Sequence, residues 1–174
     1  MRYDPSNAKC QVFTFKDGLL SKIAHDLRID VTRFQIDADP NVPSVRAELD
    51  PRSLRVATAM SDGRDNPGAL SDGDKKKIEG QIIEEVLHGN QHEKITFVSD
   101  SCTKTADGYE ITGNLTLHGV AKRIQMSARA EAGQQVAEVT LHQPDFGITP
   151  FKAMMGTLKV KPDVRVRITL PRPA

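Results

Sequence analysis

Apolar and polar residues alternate with a period of two along most of the chain. Because successive side chains of a strand point to opposite faces, each alternating segment predicts a strand with one apolar face. Short separators such as Asp107-Gly108, Gly119 and Gly133 are typical of antiparallel hairpins. The inward positions are Ile95, Phe97 and Ser99; Ile111, Gly113, Leu115 and Leu117; Ile124, Met126, Ala128 and Ala130; Ala137, Val139 and Leu141; and Val160, Val164, Val166, Ile168 and Leu170. The pattern predicts a meander of strands that curls to bury one face.

The alternation is irregular in two regions near the start of the chain. Leu27, Ile29 and Val31 occupy odd positions, whereas Phe34 and Ile36 occupy even ones, which predicts a β-bulge or sharp bend around Thr32 and Arg33. In the strand predicted over residues 9–16, even positions (Cys10, Val12, Thr14) compete with odd ones (Phe13, Phe15) for the inward face, and both alternatives stay open.

One amphipathic helix is predicted from about Asp74 to Leu87, with an apolar stripe at helical spacing and Ser71 or Asp72 as its N-cap. The lysines of its first turn and the glutamates of its last oppose the helix dipole, so docking of the stripe must hold it. The stripe consists of Ile78, Ile82, Ile83, Val86 and Leu87. The polar segment from Met60 to Asp74 is predicted to be a functional or mobile loop.

Length and charge narrow the class of protein. The 174 residues fit one domain spanning residues 1–174. With 24 Lys and Arg against 23 Asp and Glu, the net charge is +1, which lacks the basic surface that nucleic acid binding requires. No window predicts a membrane span, and residues 1–7 carry no apolar export segment. We therefore expect a cytoplasmic chain with no integral membrane association.

The sequence contains few residues in the spacing of known catalytic or metal-binding motifs. His88 and His92 have the i, i+4 spacing of a metal face, but Gly89 and Asn90 between them favour a solvated turn. No nucleophile elbow, P-loop or dinucleotide fingerprint is present, and the two cysteines, Cys10 and Cys102, fall in predicted strands as small buried hydrophobes. The acidic residues between Met60 and Asp74 do not match a calcium loop. The sequence thus predicts no catalytic residue, no metal and no cofactor.

The segment from Pro144 to Gly156 is too apolar for an open surface, although its prolines and glycines exclude a regular central strand. Its large apolar residues are Phe146, Ile148, Phe151, Met154 and Met155. Two interpretations are equally compatible with these residues: a lid that plugs the end of the core, or a rim around an apolar cavity in which methionines adapt to a ligand chain.

Three stretches resemble the YceI-like family of lipocalin-like, polyisoprenoid-binding proteins: Lys16 to Leu27, Gly113 to Ile124 and His142 to Phe151. The resemblance runs in order from about residue 8 to 170. It implies an eight-stranded antiparallel lipocalin-like barrel with a long helix and a hydrophobic interior for an isoprenoid or other long-chain lipid. It also suggests a bacterial protein of lipid transport or stress response, and a homodimer. An eight-stranded barrel has an interior wide enough for one small ligand.

The function expected from the resemblance and the apolar segment is non-catalytic binding, carriage or storage of a polyisoprenoid or fatty-acyl-type lipid. The expected cavity wall and rim consist of Phe15, Ile23, Leu27, Ile29, Phe34, Phe97, Leu115, Leu117, Met126, Phe146, Ile148, Phe151, Met154 and Met155. The candidates for a head-group contact are His25, His118 and Lys152, or Lys75 to Lys77 with the amides of the helix start.

Two other functions compete with lipid carriage. One is an enzyme that acts on an isoprenoid lipid, with His25 or His118 as acid or base. The other is a stress-related interaction protein whose barrel is filled by its own side chains. A cavity in the structure would favour carriage, and a fully packed interior would favour the interaction protein.

Overall fold

The computed structural model describes residues 1–18, 24–39 and 42–171. In these ranges the chain forms fourteen strands and one α-helix. The strands are β1 (Arg2–Tyr3), β2 (Lys9–Thr14), β3 (Asp26–Val31), β4 (Phe34–Asp39), β5 (Ser44–Leu49), β6 (Leu54–Ser61), β7 (Arg64–Asn66), β8 (Ile95–Lys104), β9 (Gly108–Leu117), β10 (Val120–Glu131), β11 (Gln134–His142), β12 (Lys152–Ala153), β13 (Leu158–Lys159) and β14 (Asp163–Pro171). The helix α1 spans Asp72–Gln81.

Twelve strands form one antiparallel sheet, in the order β1-β4-β5-β8-β9-β10-β11-β14-β2-β3-β6-β7, and β12 pairs with β13 in a separate hairpin. The predicted all-β fold with one helix is confirmed, but the predicted eight-stranded barrel is wrong. The sheet is not closed, because the short outer strands β1 and β7 each pair on one side only.

The bend around Thr32 and Arg33 explains part of this difference. β3 ends at Val31 and β4 begins at Phe34. The two strands then pair with different neighbours, β3 with β2 and β6, and β4 with β1 and β5. The change of parity seen in the sequence therefore separates two strands that lie far apart in the sheet order.

The sheet nevertheless curls around an interior. Tyr3 of β1 and Ile36 of β4 share a core cluster with Ile29 of β3 and Val56 of β6, although these strands lie towards opposite ends of the strand order. A second cluster joins β8, β9, β10 and β11 to the segment that carries Phe146 and Ile148. The curvature thus buries one face of the sheet, as the alternation predicted.

The helix packs against β6 and places Ile78 against the first cluster, and Ile82, which directly follows the helix, packs against the same cluster. Ser71 is its N-cap, and its hydroxyl accepts from the backbone N–H of Asp74 at 3.1 Å while the Asp74 carboxylate accepts from the backbone N–H of Ser71, also at 3.1 Å. This reciprocal pair is a capping box. Residues Ile82–Val86 continue as a π-helical turn. The predicted helix is therefore confirmed, with its start two residues earlier.

The segment from Met60 to Asp74 is only partly a loop. β6 runs on to Ser61, and Arg64–Asn66 return as β7 in a short hairpin. A bidentate contact from the Arg28 guanidinium to the Asp65 carboxylate, at 2.9 and 3.2 Å, ties this hairpin to β3. The sequence did not predict this hairpin, because its residues are polar on both faces.

Candidate functional site

The curled sheet and the helix enclose a cavity of about 880 Å³. Its volume lies in the upper part of the range found for small-molecule sites. The lining comes from almost every long strand and from α1, and it is mostly aliphatic and aromatic. Representative lining residues are Ile36, Leu49, Leu54, Ile78, Ile82, Ile111, Ile124, Val139, Leu141, Val164, Val166 and Ile168. The side chains of the interior thus leave a large apolar space.

Many of the residues expected from the sequence line this cavity. They are Leu27, Ile29, Phe97, Leu115, Leu117, Met126, Ile148, Phe151 and Met154, together with the head-group candidate His25. They come from β3, β8, β9 and β10 and from the apolar segment after β11, so the fold brings together residues more than 120 positions apart in the sequence.

Other expected residues lie away from the cavity lining. Phe34 is buried and borders a smaller pocket beside Arg28, Phe146 is buried in the second core cluster, and Phe15 is half-buried beside the cavity wall. Met155 is fully exposed, because the turn that carries it directs its side chain to solvent. His118 and Lys152 also lie outside the lining. Ile23 lies outside the described residues.

The structure resolves the two alternatives for β2. Cys10, Val12 and Thr14 line the cavity, whereas Phe13 faces outward. The Phe13 ring is covered by the guanidinium of Arg165, 4.6 Å from the ring centroid. This cation–π contact explains how a phenylalanine is buried on the outer face of the sheet, a contact that the sequence pattern of β2 alone does not reveal.

Charged and polar groups cluster where the cavity lining reaches the surface. His25, directly before β3, lines the cavity together with Asp74 and Lys77 of α1 and Lys159 of β13. Hydrogen bonds from Ser71 lower the pKa of Asp74, and the charges of Lys77 and His25 lower it further. The cavity therefore has an ionic rim on the side where the helix begins.

Polar side chains also occur within the lining. The Nε2 atom of Gln135 is buried and has no hydrogen-bond partner among the described residues. Burial raises the pKa of the Cys10 thiol to about 12, with a further contribution from the negative charge of Asp30. Cys10 is thus a neutral thiol in the wall, whereas Gln135 presents an unpaired donor. The alternation of β2 had left Cys10 as a candidate for the inward face, whereas no sequence pattern indicated that the polar Gln135 would line a cavity.

Three histidines meet outside the cavity. The Nδ1 atom of His88 lies 2.9 Å from Nε2 of His118, and the rings of His92 and His118 have centroids 4.4 Å apart. The second nitrogen of His118 lies 3.2 Å from the carbonyl oxygen of Phe146. If His118 donates to that carbonyl, its Nε2 accepts from His88. Partial burial lowers the pKa of His118, an effect opposed by the Phe146 carbonyl and reinforced by the other two histidines.

The predicted solvated turn at His88 and His92 is therefore incomplete, because both histidines contact His118. Among the described residues, no group of three or more His, Cys, Asp or Glu side chains is arranged to hold a metal ion. No helix in the described ranges is long and apolar enough to cross a membrane.

A family model and two curated proteins match this chain by sequence. A family model described as the YceI-like domain matches residues 2–171. The UPF0312 protein ECA1782 of Pectobacterium atrosepticum is 40% identical over 37% of this chain and 39% of its own length. UPF0312 protein PC1_2518 of Pectobacterium carotovorum is 38% identical over the same shares. The matched region thus spans about two fifths of these curated relatives.

Solved structures show the same fold at low identity. BcnA of Burkholderia cenocepacia has a TM-score of 0.63 at 17% identity, covering 96% of this chain and 97% of its own. A polyisoprenoid binding domain from Saccharophagus degradans, implicated in plant cell wall breakdown, has a TM-score of 0.60 at 11% identity, over 97% and 94%. The YceI protein of Campylobacter jejuni has a TM-score of 0.58 at 14% identity, over 88% and 91%.

Proposed function

The chain belongs to the YceI-like family, and on this premise we propose that it binds and carries a long-chain isoprenoid or similar amphiphilic lipid inside the cavity, without catalysis. The observation that carries the proposal is the apolar cavity of about 880 Å³. The name of the Saccharophagus degradans domain adds support, because it describes a polyisoprenoid binder of the same fold.

The size of the cavity favours an occupant over a dry interior. In proteins with engineered cavities the free energy of unfolding falls by about 24 cal/mol per Å³, which extrapolates to roughly 20 kcal/mol for a space of this volume. Since whole domains are stable by only about 5–15 kcal/mol, the cavity is expected to hold water or a ligand. A lining this apolar offers water few hydrogen bonds and therefore favours a hydrocarbon chain.

The free energy of binding can come from burial of the chain alone. Each methylene moved from water into an apolar site contributes about 0.8 kcal/mol, so ten carbons supply roughly 8 kcal/mol before the costs of association. At about 30 Å³ per carbon, close to the volume of a water molecule in the liquid, the cavity has room for on the order of 30 carbons. A chain of this kind needs no catalytic group, which agrees with the sparse motifs in the sequence.

The polar end of the lipid is proposed to lie at the ionic rim. His25 and Lys77 line the cavity there and offer donors or positive charge to an anionic or hydroxyl head group. Asp74 beside them offsets part of this positive charge, which favours a hydroxyl over a multiply charged head group. This arrangement favours a head group held mainly by His25 and Lys77, so Lys152 and His118 are not needed for it.

Titration of the delipidated chain with isoprenoid alcohols and fatty acids of increasing length tests the proposal. We expect binding to tighten with length until the cavity is full. The variant Ala137→Phe adds a ring to the cavity wall and should weaken binding of the longest probes most. Ala121→Phe, on an exposed position of β10, is the matched control and should bind like the wild type.

Two results would contradict the proposal. One is a folded chain that binds none of the probes. The other is an Ala137→Phe variant that binds long probes as tightly as the control, since the lipid would then lie elsewhere.

A further inference from the structure

The hairpin of residues 151–160 carries an exposed apolar tip. Met154 and Met155 lie in the turn between β12 and β13, with 59% and 107% of their surface exposed. Both residues have positive φ values, 51° and 56°. The other described non-glycine residues with positive φ are Asp62, His88, His118 and Ala132. Large apolar side chains therefore occupy this backbone conformation only at the 154–155 tip, within the described part of the chain.

A left-handed backbone does not favour methionine, since asparagine, aspartate and histidine adopt it more readily. The turn itself therefore does not account for two methionines at this position. Their flexible thioether side chains suit a soft apolar environment outside the protein.

Lysines surround this tip. Lys152 and Lys159 are direct cross-strand partners, and Lys16 pairs with Val160 in the neighbouring bridge. The backbone N–H of Lys161 donates to the Phe15 carbonyl on the same edge, at 2.8 Å. All four lysines are exposed, and none forms a salt bridge with another described residue. Like charges placed directly opposite each other repel, so an anionic partner on this face would stabilise the pair of Lys152 and Lys159.

The acidic residues near the lysines offset only part of this charge. Asp17 donates its backbone N–H to the Lys159 carbonyl, at 2.8 Å, and its carboxylate is exposed. Asp26 accepts from the backbone N–H of Lys16 at 2.8 Å, and Asp163 pairs with His142. Four lysines against Asp17 and Asp26 leave a local excess of positive charge on a protein whose net charge is +1.

From this combination we infer that the 151–160 hairpin docks on the surface of an anionic lipid bilayer, with Met154 and Met155 inserted between lipids and the four lysines at the head groups. Apolar side chains within a basic rim are the features of interfacial membrane binding. Lysine stems can extend along the apolar region while their ammonium groups stay at the head groups.

Docking of this hairpin would place the cavity beside the bilayer. Phe151, Ala153, Met154, Leu158 and Val160 all line the cavity, so the inserted tip and the cavity wall are one continuous segment. A lipid could then pass between bilayer and cavity without crossing water. This use of the surface rests on the proposed function, whereas the docking itself rests only on the exposed methionines and lysines.

The absence of tryptophan from the sequence permits a direct probe. In Met155→Trp the single indole reports on the tip alone. We expect its emission to shift to shorter wavelength with vesicles of phosphatidylcholine mixed with phosphatidylglycerol, and not with phosphatidylcholine vesicles. The shift should weaken as salt is added, because salt screens the lysines. No shift with the anionic vesicles overturns the inference.

Vesicle flotation measures the contributions of the side chains. Met155→Ser should weaken binding to the anionic vesicles about tenfold or more. Lys152→Glu combined with Lys161→Glu should weaken it about 25-fold or more, at about fivefold for each lysine removed. The matched controls are Val42→Ser, at another exposed apolar residue, and Lys104→Glu combined with Lys122→Glu, at exposed lysines of β8 and β10. These controls should bind like the wild type, and an equal loss in them overturns the inference.

Two further measurements separate the remaining outcomes. If sedimentation shows that Met155→Ser dissociates a dimer, the tip is covered by a second copy and the inference is overturned. Loading of farnesol is measured in solution without vesicles. A chain that loads farnesol but ignores vesicles overturns only this inference, whereas a chain that docks through Met155 but loads no lipid supports it and overturns the proposed function.

Discussion

Gln135 stands out among the residues of the cavity wall, because its buried Nε2 atom has no hydrogen-bond partner among the described residues. A buried donor without a partner costs about 1–3 kcal/mol of stability. Such a donor lowers the stability of the lipid-free chain and is available to an acceptor of the ligand.

We expect Gln135→Met to raise the free energy of unfolding of the delipidated chain by about 1 kcal/mol or more, because the change removes the unpaired donor with little change in volume. Urea denaturation measures this, with Gln134→Met at the exposed neighbouring position as the control. A loss of stability in Gln135→Met would show that the amide is already satisfied.

His118 is a second residue whose surroundings affect stability. Its pKa lies below the ordinary value of about 6.5 in the folded chain, because partial burial disfavours the charged ring. The unfolded chain therefore binds the proton more readily than the folded one. Stability is fully present above about pH 6.5 and falls as the pH drops through the lower, folded pKa.

His118→Asn should flatten this loss of stability at acidic pH, and asparagine tolerates the φ of 54° at this position. Chemical denaturation across a pH series measures both chains. Equal slopes for the wild type and the variant would contradict the assignment of the proton to His118.

The position and inner face of each strand were more predictable than the pairing of the strands in the sheet. Alternation placed Leu115 and Leu117 on the inner face of β9, and both line the cavity. In β2 the two parities competed, since the contact that buries Phe13 on the outer face comes from Arg165, 152 positions away in the sequence. A local pattern does not contain such a contact.

Gly113 in β9 shows how closely two strands approach. A Cβ at this position would lie 2.3 Å from the Val98 carbonyl oxygen and 2.7 Å from the Phe97 ring. We expect Gly113→Ala to lower the free energy of unfolding by about 2 kcal/mol or more, because β8 and the Phe97 ring would have to move. Gly68→Ala, where no atom lies within 4 Å, is the control for thermal denaturation. Equal melting temperatures for the two variants would contradict this account of β9.

The fold of the whole chain differs from the expected barrel because the two edge strands of the sheet do not pair with each other. The resemblance implied eight strands in a closed barrel, whereas the structure has twelve strands in an open, curled sheet. The parity change at Thr32 and Arg33 marked the bend, but the sequence did not show that β3 and β4 would join different neighbours. Strand pairing over such distances depends on contacts that only the folded chain makes.

The sequence predicted an apolar cavity but not the exact set of residues that line it. The resemblance and the apolar segment pointed to Ile148, Phe151 and Met154, which line the cavity, and also to Phe146 and Met155, which do not. Phe146 fills the core, and Met155 points to solvent from a turn of unusual backbone. Composition alone did not distinguish these three environments within one segment.

The cavity is proposed to hold a long-chain lipid. Native mass spectrometry of the chain, purified without detergent from the cells that make it, detects such a lipid as added mass. We expect one bound lipid per chain, released on activation, and a loss of that species in Ala137→Phe but not in Ala121→Phe. A folded wild-type chain found only at its own mass, or a lipid retained equally by both variants, would show that the cavity is not a lipid site.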